Sequence, residues 1–87
     1  MLRYNIIVLH LFIQNAENMT KLETSHELLN QVVEVLEKTL GWETNRETTH
    51  KGNNLFRFEC MFSDKSNNVT TKNFEVSVGN RNVTELK

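Results

Sequence analysis

The chain has no proline, three glycines, one cysteine and one tryptophan in 87 residues. A single cysteine excludes an internal disulfide, and it excludes a Cys₂His₂ zinc site by count. His10, His26 and His50 show no metal-ligand spacing. No apolar run approaches the ~20 residues a membrane span needs, so none is expected. The formal net charge is -1, so the chain has no global basic excess to draw in a polyanion. Any nucleic-acid site must come from the local placement of Lys and Arg. Also missing are a nucleophile–base pair at recognisable spacing, a phosphate-binding glycine loop and a metal cluster. Neither an enzyme nor a cofactor is expected. With so few glycines, Gly41, Gly52 and Gly79 each mark a boundary.

What is present centres on Leu55 to Phe62. Phe56, Phe58, Cys60 and Phe62 share one parity, and Arg57 and Glu59 take the other. This is the period-two alternation of a half-buried strand. Three of the five phenylalanines lie on that face, making it the largest apolar surface the chain has to cover. Cys60 reads as a small buried hydrophobe on the same face, with no basic neighbour in sequence to activate it.

Residues 20–40 read as the main helix. Leu22, Leu29, Val32, Val33, Leu36 and Leu40 form one apolar stripe, widened by Leu28 and Val35. Thr24 with Glu27, or Thr20 with Glu23, fits a capping box, and Gly41 fits a left-handed C-terminal cap. Trp42 is expected to pack back over the last turn. His26 lies near the buried edge of the helix and reads as a partly covered, hydrogen-bonded histidine.

Residues 42–50 are polar and rich in threonine, which suits a strand at a solvated edge. Lys51-Gly52-Asn53-Asn54 is a turn, and a second turn cluster runs from Ser63 to Asn68. Val69 to Val78 is a third strand, with Phe74, Val76 and Val78 on one parity. Gly79-Asn80-Arg81-Asn82 breaks it, and Val83 to Lys87 reads as the first turn of an unfinished helix.

Ahead of all this, residues 1–18 form an apolar leader, set apart from a single α+β domain over residues 19–87. Its run from Ile6 to Ile13 is either a strand or a loosely attached appendage. Arg3 ahead of the run gives it the look of a secretion signal, but His10 interrupts it and no small-x-small cleavage site follows. Asn-x-Thr triplets occur at Asn18, Asn68 and Asn82. Twelve asparagines with thirteen serines and threonines give about two such triplets by chance, so their number carries little weight.

The expected fold is α+β: one amphipathic helix on a three-stranded antiparallel sheet, then the start of a second helix. This order, with its local residues, resembles the double-stranded RNA-binding domain over residues 24–87. Leu28-Leu29-Asn30-Gln31 is similar to the Leu-Asn-Glu segment of that family's first helix. His50 lies in the loop where the family carries Gly-Pro-x-His. Residues 56–62 look like its second strand, and residues 79–87 like the approach to its second helix. Of the family's Lys-Lys-x-Ala-Lys run only Lys87 is matched, no Gly-Pro precedes His50, and the second helix is missing beyond a first turn.

The resemblance implies recognition of A-form RNA by shape, across two minor grooves and the phosphates between them. It places Gln31 against a minor-groove 2′-hydroxyl, His50 and Lys51 in the second minor groove, and Lys87 with Arg81 on phosphate. With two of the three family lysines absent, binding is expected to be weak. The alternatives are a degenerate domain of the same fold used for protein contact or homodimerisation through its sheet face, and a small inhibitor-like β-α-β-β-β domain. The latter needs the leader to be a strand. The single thiol fits an intracellular location, nuclear or cytoplasmic. Without a full second helix, part of the Phe56/Phe74 face is expected to be covered by Ile6–Ile13 or by another chain. On that expectation, replacing Ile7 and Leu9 together with Asp destabilises the domain or breaks a dimer.

Overall fold

A computed structural model describes the backbone of residues 6–87 and the side chains from Thr20 onward. One helix, α1 (Ile6–Leu40), precedes four strands: β1 (Trp42–Gly52), β2 (Leu55–Ser63), β3 (Val69–Ser77) and β4 (Asn82–Leu86). The strands form one antiparallel sheet in the order β1-β2-β3-β4, so each pairs with its neighbour in sequence. α1 lies across one face and touches all four strands. The expected α+β architecture is present, with two differences at its ends.

The first difference is at the start. α1 is a single helix of 35 residues, about 52 Å long. Residues 6–18 are helical, so the run from Ile6 to Ile13 is not the strand it was offered as. No Gly or Pro stops a helix between Ile6 and Leu40, and the capping boxes at Thr20 and Thr24 fall inside it. Ser25 shows how hydroxyls behave here: its Oγ donates to the Leu22 carbonyl at 2.6 Å, within the helix. Lys21 Nζ donates to Asn53 Oδ1 at 3.2 Å, which puts Lys21 at one end of the sheet. The helix continues past that end towards Ile6. The side chains of Ile7 and Leu9, and the covering role expected of Ile6–Ile13, lie outside the described residues.

The second difference is at the other terminus. Residues 82–86 form β4, where the first turn of a second helix was expected. Arg81 adopts a left-handed backbone, φ 52°, and the turn sends the chain back along β3. Val83 then pairs with Val76 and packs on the core. Tertiary pairing wins here over the weak helical preference of five terminal residues. The sheet face expected to stand open is closed: Phe56 is 4 % exposed and Phe74 1 %.

The core joins Leu28, Leu29 and Val33 of α1 to Phe56, Phe58, Cys60 and Phe62 of β2 and Phe74 and Val76 of β3. Val32, Leu36, Leu40, Val78 and Val83 pack around it. Gly41 turns the chain from α1 into β1 at φ 96°, and an added Cβ there would run into the Ser63 carbonyl. Only glycine meets both requirements.

Candidate functional site

Three of the five residues that the resemblance assigned to RNA come to one end of the sheet. His50 and Lys51 close β1, and Arg81 sits in the turn between β3 and β4. The Val78 N–H donates to the Asn54 carbonyl at 2.8 Å and ties the two turns together. With Lys21 bonded to Asn53, this end carries three cationic side chains. The ring of His50 lies flat on Phe56, with centroids 4.6 Å apart and planes at 9°. The other two residues stand elsewhere. Gln31 is exposed midway along the sheet-covering part of α1. Lys87 follows Leu86, which pairs with Asn73 in mid-sheet, so it is several residues removed from Arg81 along the sheet.

A polar network, unmarked in the sequence, lies between α1 and the inner face of β1. Arg46 clamps Glu43 through two bonds, Nε to Oε2 at 2.9 Å and Nη2 to Oε1 at 2.8 Å. Its Nη1 donates to His26 Nδ1 at 3.0 Å, so His26 is neutral with its proton on Nε2. The imidazole and the Phe58 ring meet in a T-shaped arrangement, with centroids 4.9 Å apart. A strand normally places positions i and i+3 on opposite faces. A bulge between Glu43 and Asn45 puts Glu43 opposite Phe62 and Arg46 opposite Cys60, both on the inner face. Sequence patterning carries no mark of that bulge, which is why the pair was not anticipated.

Electrostatics fix the charge states of this network. Burial, with the nearby Arg46 charge, pushes His26 below its ordinary value despite the opposing pull of Glu43. Burial works to raise the Glu43 carboxyl, but bonds from Arg46 and then Cys60 outweigh it and hold it low. Burial, followed by its bond to Glu43, pushes the Cys60 thiol up to about 12. Cys60 therefore stays a thiol at neutral pH, and His26 has already given its lone pair to Arg46. The group acts as a polar seam that fixes α1 against β1.

The outer face of the sheet is open to solvent and acidic. Glu47, Glu59 and Glu75 share it with Arg57, which pairs with Glu75 at 3.4 Å. Towards the end where α1 hands over to β1 its character changes. Trp42 pairs with Ser63, and Ser63 with Val69, so Trp42 and Val69 flank one row. Trp42 is 52 % exposed and Val69 59 %. Trp42 lies beside Glu37 and Lys38 at the end of α1, the side on which its packing was expected, and half of it stays in solvent. Glu37, Lys38, Asp64 and Lys65 line a depression beside Trp42.

Among the described residues no group of three or more His, Cys, Asp or Glu side chains is placed to hold a metal ion, and no helix is long and apolar enough to cross a membrane. No family model, no curated protein and no solved structure matches this chain.

Proposed function

We propose that this chain is a protein-contact module that pairs with a second copy of itself through the Trp42–Ser63–Val69 row. The observation that carries this reading is the exposure of the only tryptophan, in one row with an exposed valine and beside the half-buried Met61. Aromatic anchors of this kind dominate protein interfaces. The rim of the row supports a two-fold contact. The depression beside Trp42 carries Lys38 and Lys65 together with Glu37 and Asp64, and a two-fold contact must be self-complementary. A polyanion would meet as many carboxylates there as ammonium groups.

A second reading, contact with double-stranded RNA, rests on the meeting of His50, Lys51 and Arg81 with Lys21 at the opposite end. Three cations would give low affinity and a shallow salt dependence. The two readings use opposite ends of the sheet, so one pair of measurements separates them. Sedimentation velocity on the wild type and on Val69→Lys tests the first. Concentration-dependent dimerisation, lost in the variant with the melting temperature kept, supports it; a wild type that stays monomeric contradicts it. Fluorescence anisotropy with a duplex RNA, against the Lys51→Ala/Arg81→Ala variant, tests the second. Binding that prefers RNA to DNA and disappears in this variant would favour the RNA reading.

A further inference from the structure

Two of the three Asn-x-Thr triplets share a backbone setting that their number alone could not show. Among the described residues, Asn67 (φ 64°) and Arg81 (φ 52°) are the non-glycine residues with a left-handed backbone. Each immediately precedes an Asn-Val-Thr triplet that leads into a strand, Asn68 into β3 and Asn82 into β4. The third triplet, Asn18 to Thr20, is helical.

The two matched triplets differ in what their side chains do. Asn68 is committed to its loop: its backbone N–H donates to Asp64 Oδ1 at 3.0 Å and its Nδ2 to Asp64 Oδ2 at 3.1 Å. Thr70, the hydroxyl residue of that triplet, is half-buried. Asn82 and Thr84 are both exposed. They pair with Ser77 and Glu75, so they stand on the same outer face of β4, while Val83 between them turns inward to the core. Asparagine amide and threonine hydroxyl are thus offered side by side on an edge strand.

We infer that Asn82 is an N-glycan acceptor. In the reaction, Asn82 Nδ2 attacks the anomeric carbon of a lipid-linked oligosaccharide pyrophosphate. The carbon–oxygen bond to the pyrophosphate breaks as the carbon–nitrogen bond forms. One amide proton leaves, and the lipid pyrophosphate departs; nothing is oxidised or reduced. The triplet supplies the amide and the hydroxyl that such a transfer recognises. The modification places the chain in the secretory compartment, against the intracellular location that its single thiol suggested. A glycan at this site would shield β4, an edge strand with unpaired backbone groups and a ready template for edge-to-edge association. It would leave the Trp42–Val69 row clear, because Asn82 lies at the opposite end of the sheet.

The test is to express the full chain from Met1 in cultured animal cells and map its peptides by mass spectrometry. An amide-cleaving glycosidase leaves aspartate at each occupied position. Asn82 is expected to be converted in the wild type, and to be unmodified in Thr84→Ala but modified again in Thr84→Ser. Thr84→Ala keeps the amide and removes only the hydroxyl, so its loss of modification at an unchanged melting temperature reports recognition of the triplet. An unmodified Asn82 in the wild type overturns the proposal, as does a glycan confined to Asn68.

Discussion

β1 and β2 lie side by side and face the same helix with opposite chemistry. Along β2 every inward residue from Phe56 to Phe62 is apolar and buried. Along β1 the inward residues are Glu43, Arg46, Thr48 and His50. The central strand holds α1 by excluding water, which is strong but has no direction. The edge strand holds it by a clamped ion pair and a histidine, which gives little net energy but requires one arrangement. The polar seam ties α1 to β1 through directional bonds, while the phenylalanines supply the apolar area that α1 covers.

The comparison breaks most severely at Phe58, which is fully buried against His26 and the helix. Phe58→Ala is expected to cost about 3–5 kcal/mol, a large share of the ~5–15 kcal/mol that a domain of this size possesses. Urea denaturation measures it, and a loss below about 1 kcal/mol would mean that the core is centred elsewhere.

The polar seam is sharpened by removing one partner and then both. Arg46→Met leaves His26 Nδ1 without its donor and Glu43 without its countercharge. With both charged side chains 15 % exposed, the expected loss is about 1–3 kcal/mol. Glu43→Leu combined with Arg46→Met should cost less than Arg46→Met alone, because no uncompensated charge then remains. The seam also predicts a direction with pH. His26 is held below its ordinary value of 6.5, so its contribution is complete above about pH 6.5 and is lost as pH falls through its folded value. Glu43 is likewise held below its ordinary 4.5, and its contribution is lost at lower pH still. Chemical denaturation at a series of pH values should show stability falling on acidification below about 6.5, with the upper part of that fall absent in His26→Phe. An unchanged profile in His26→Phe would remove the histidine from the seam.

The smallest effect belongs to the other edge of the sheet. Lys72 and Glu85 pair at 3.1 Å with side chains 31 % and 39 % exposed. Solvent screens such a pair, so Lys72→Ala is expected to change stability by about 0–1 kcal/mol. A double-mutant cycle with Glu85→Ala would measure the coupling.

How far the sequence could be read follows the same division. The alternation from Phe56 to Phe62 and the stripe from Leu29 to Leu40 each report burial; the strand formed where it was expected, and the helix covers the expected residues 20–40 but begins at Ile6. His26, read as partly covered and hydrogen-bonded, has Arg46 as its partner. What stayed hidden depended on pairing between distant segments. β4 is a strand because Val83 finds Val76, and five residues alone carry no sign of that. The bulge in β1 brings Glu43 and Arg46 to one face against the alternation rule. The residues assigned to RNA rested only on a resemblance, and the fold divides them among the turn end, mid-sheet and the exposed side of α1.

The central functional claim can be read from one side chain. Trp42 is the only tryptophan, so its emission and its quenching by acrylamide report the proposed contact without a label. Over ~1–500 µM protein, a range that brackets weak to moderate self-association, quenching should fall and the emission should shift to shorter wavelength as Trp42 becomes covered. Val69→Lys should hold both at their dilute values. Quenching that stays constant over this range in the wild type would show that Trp42 remains in water, and would contradict pairing through this row.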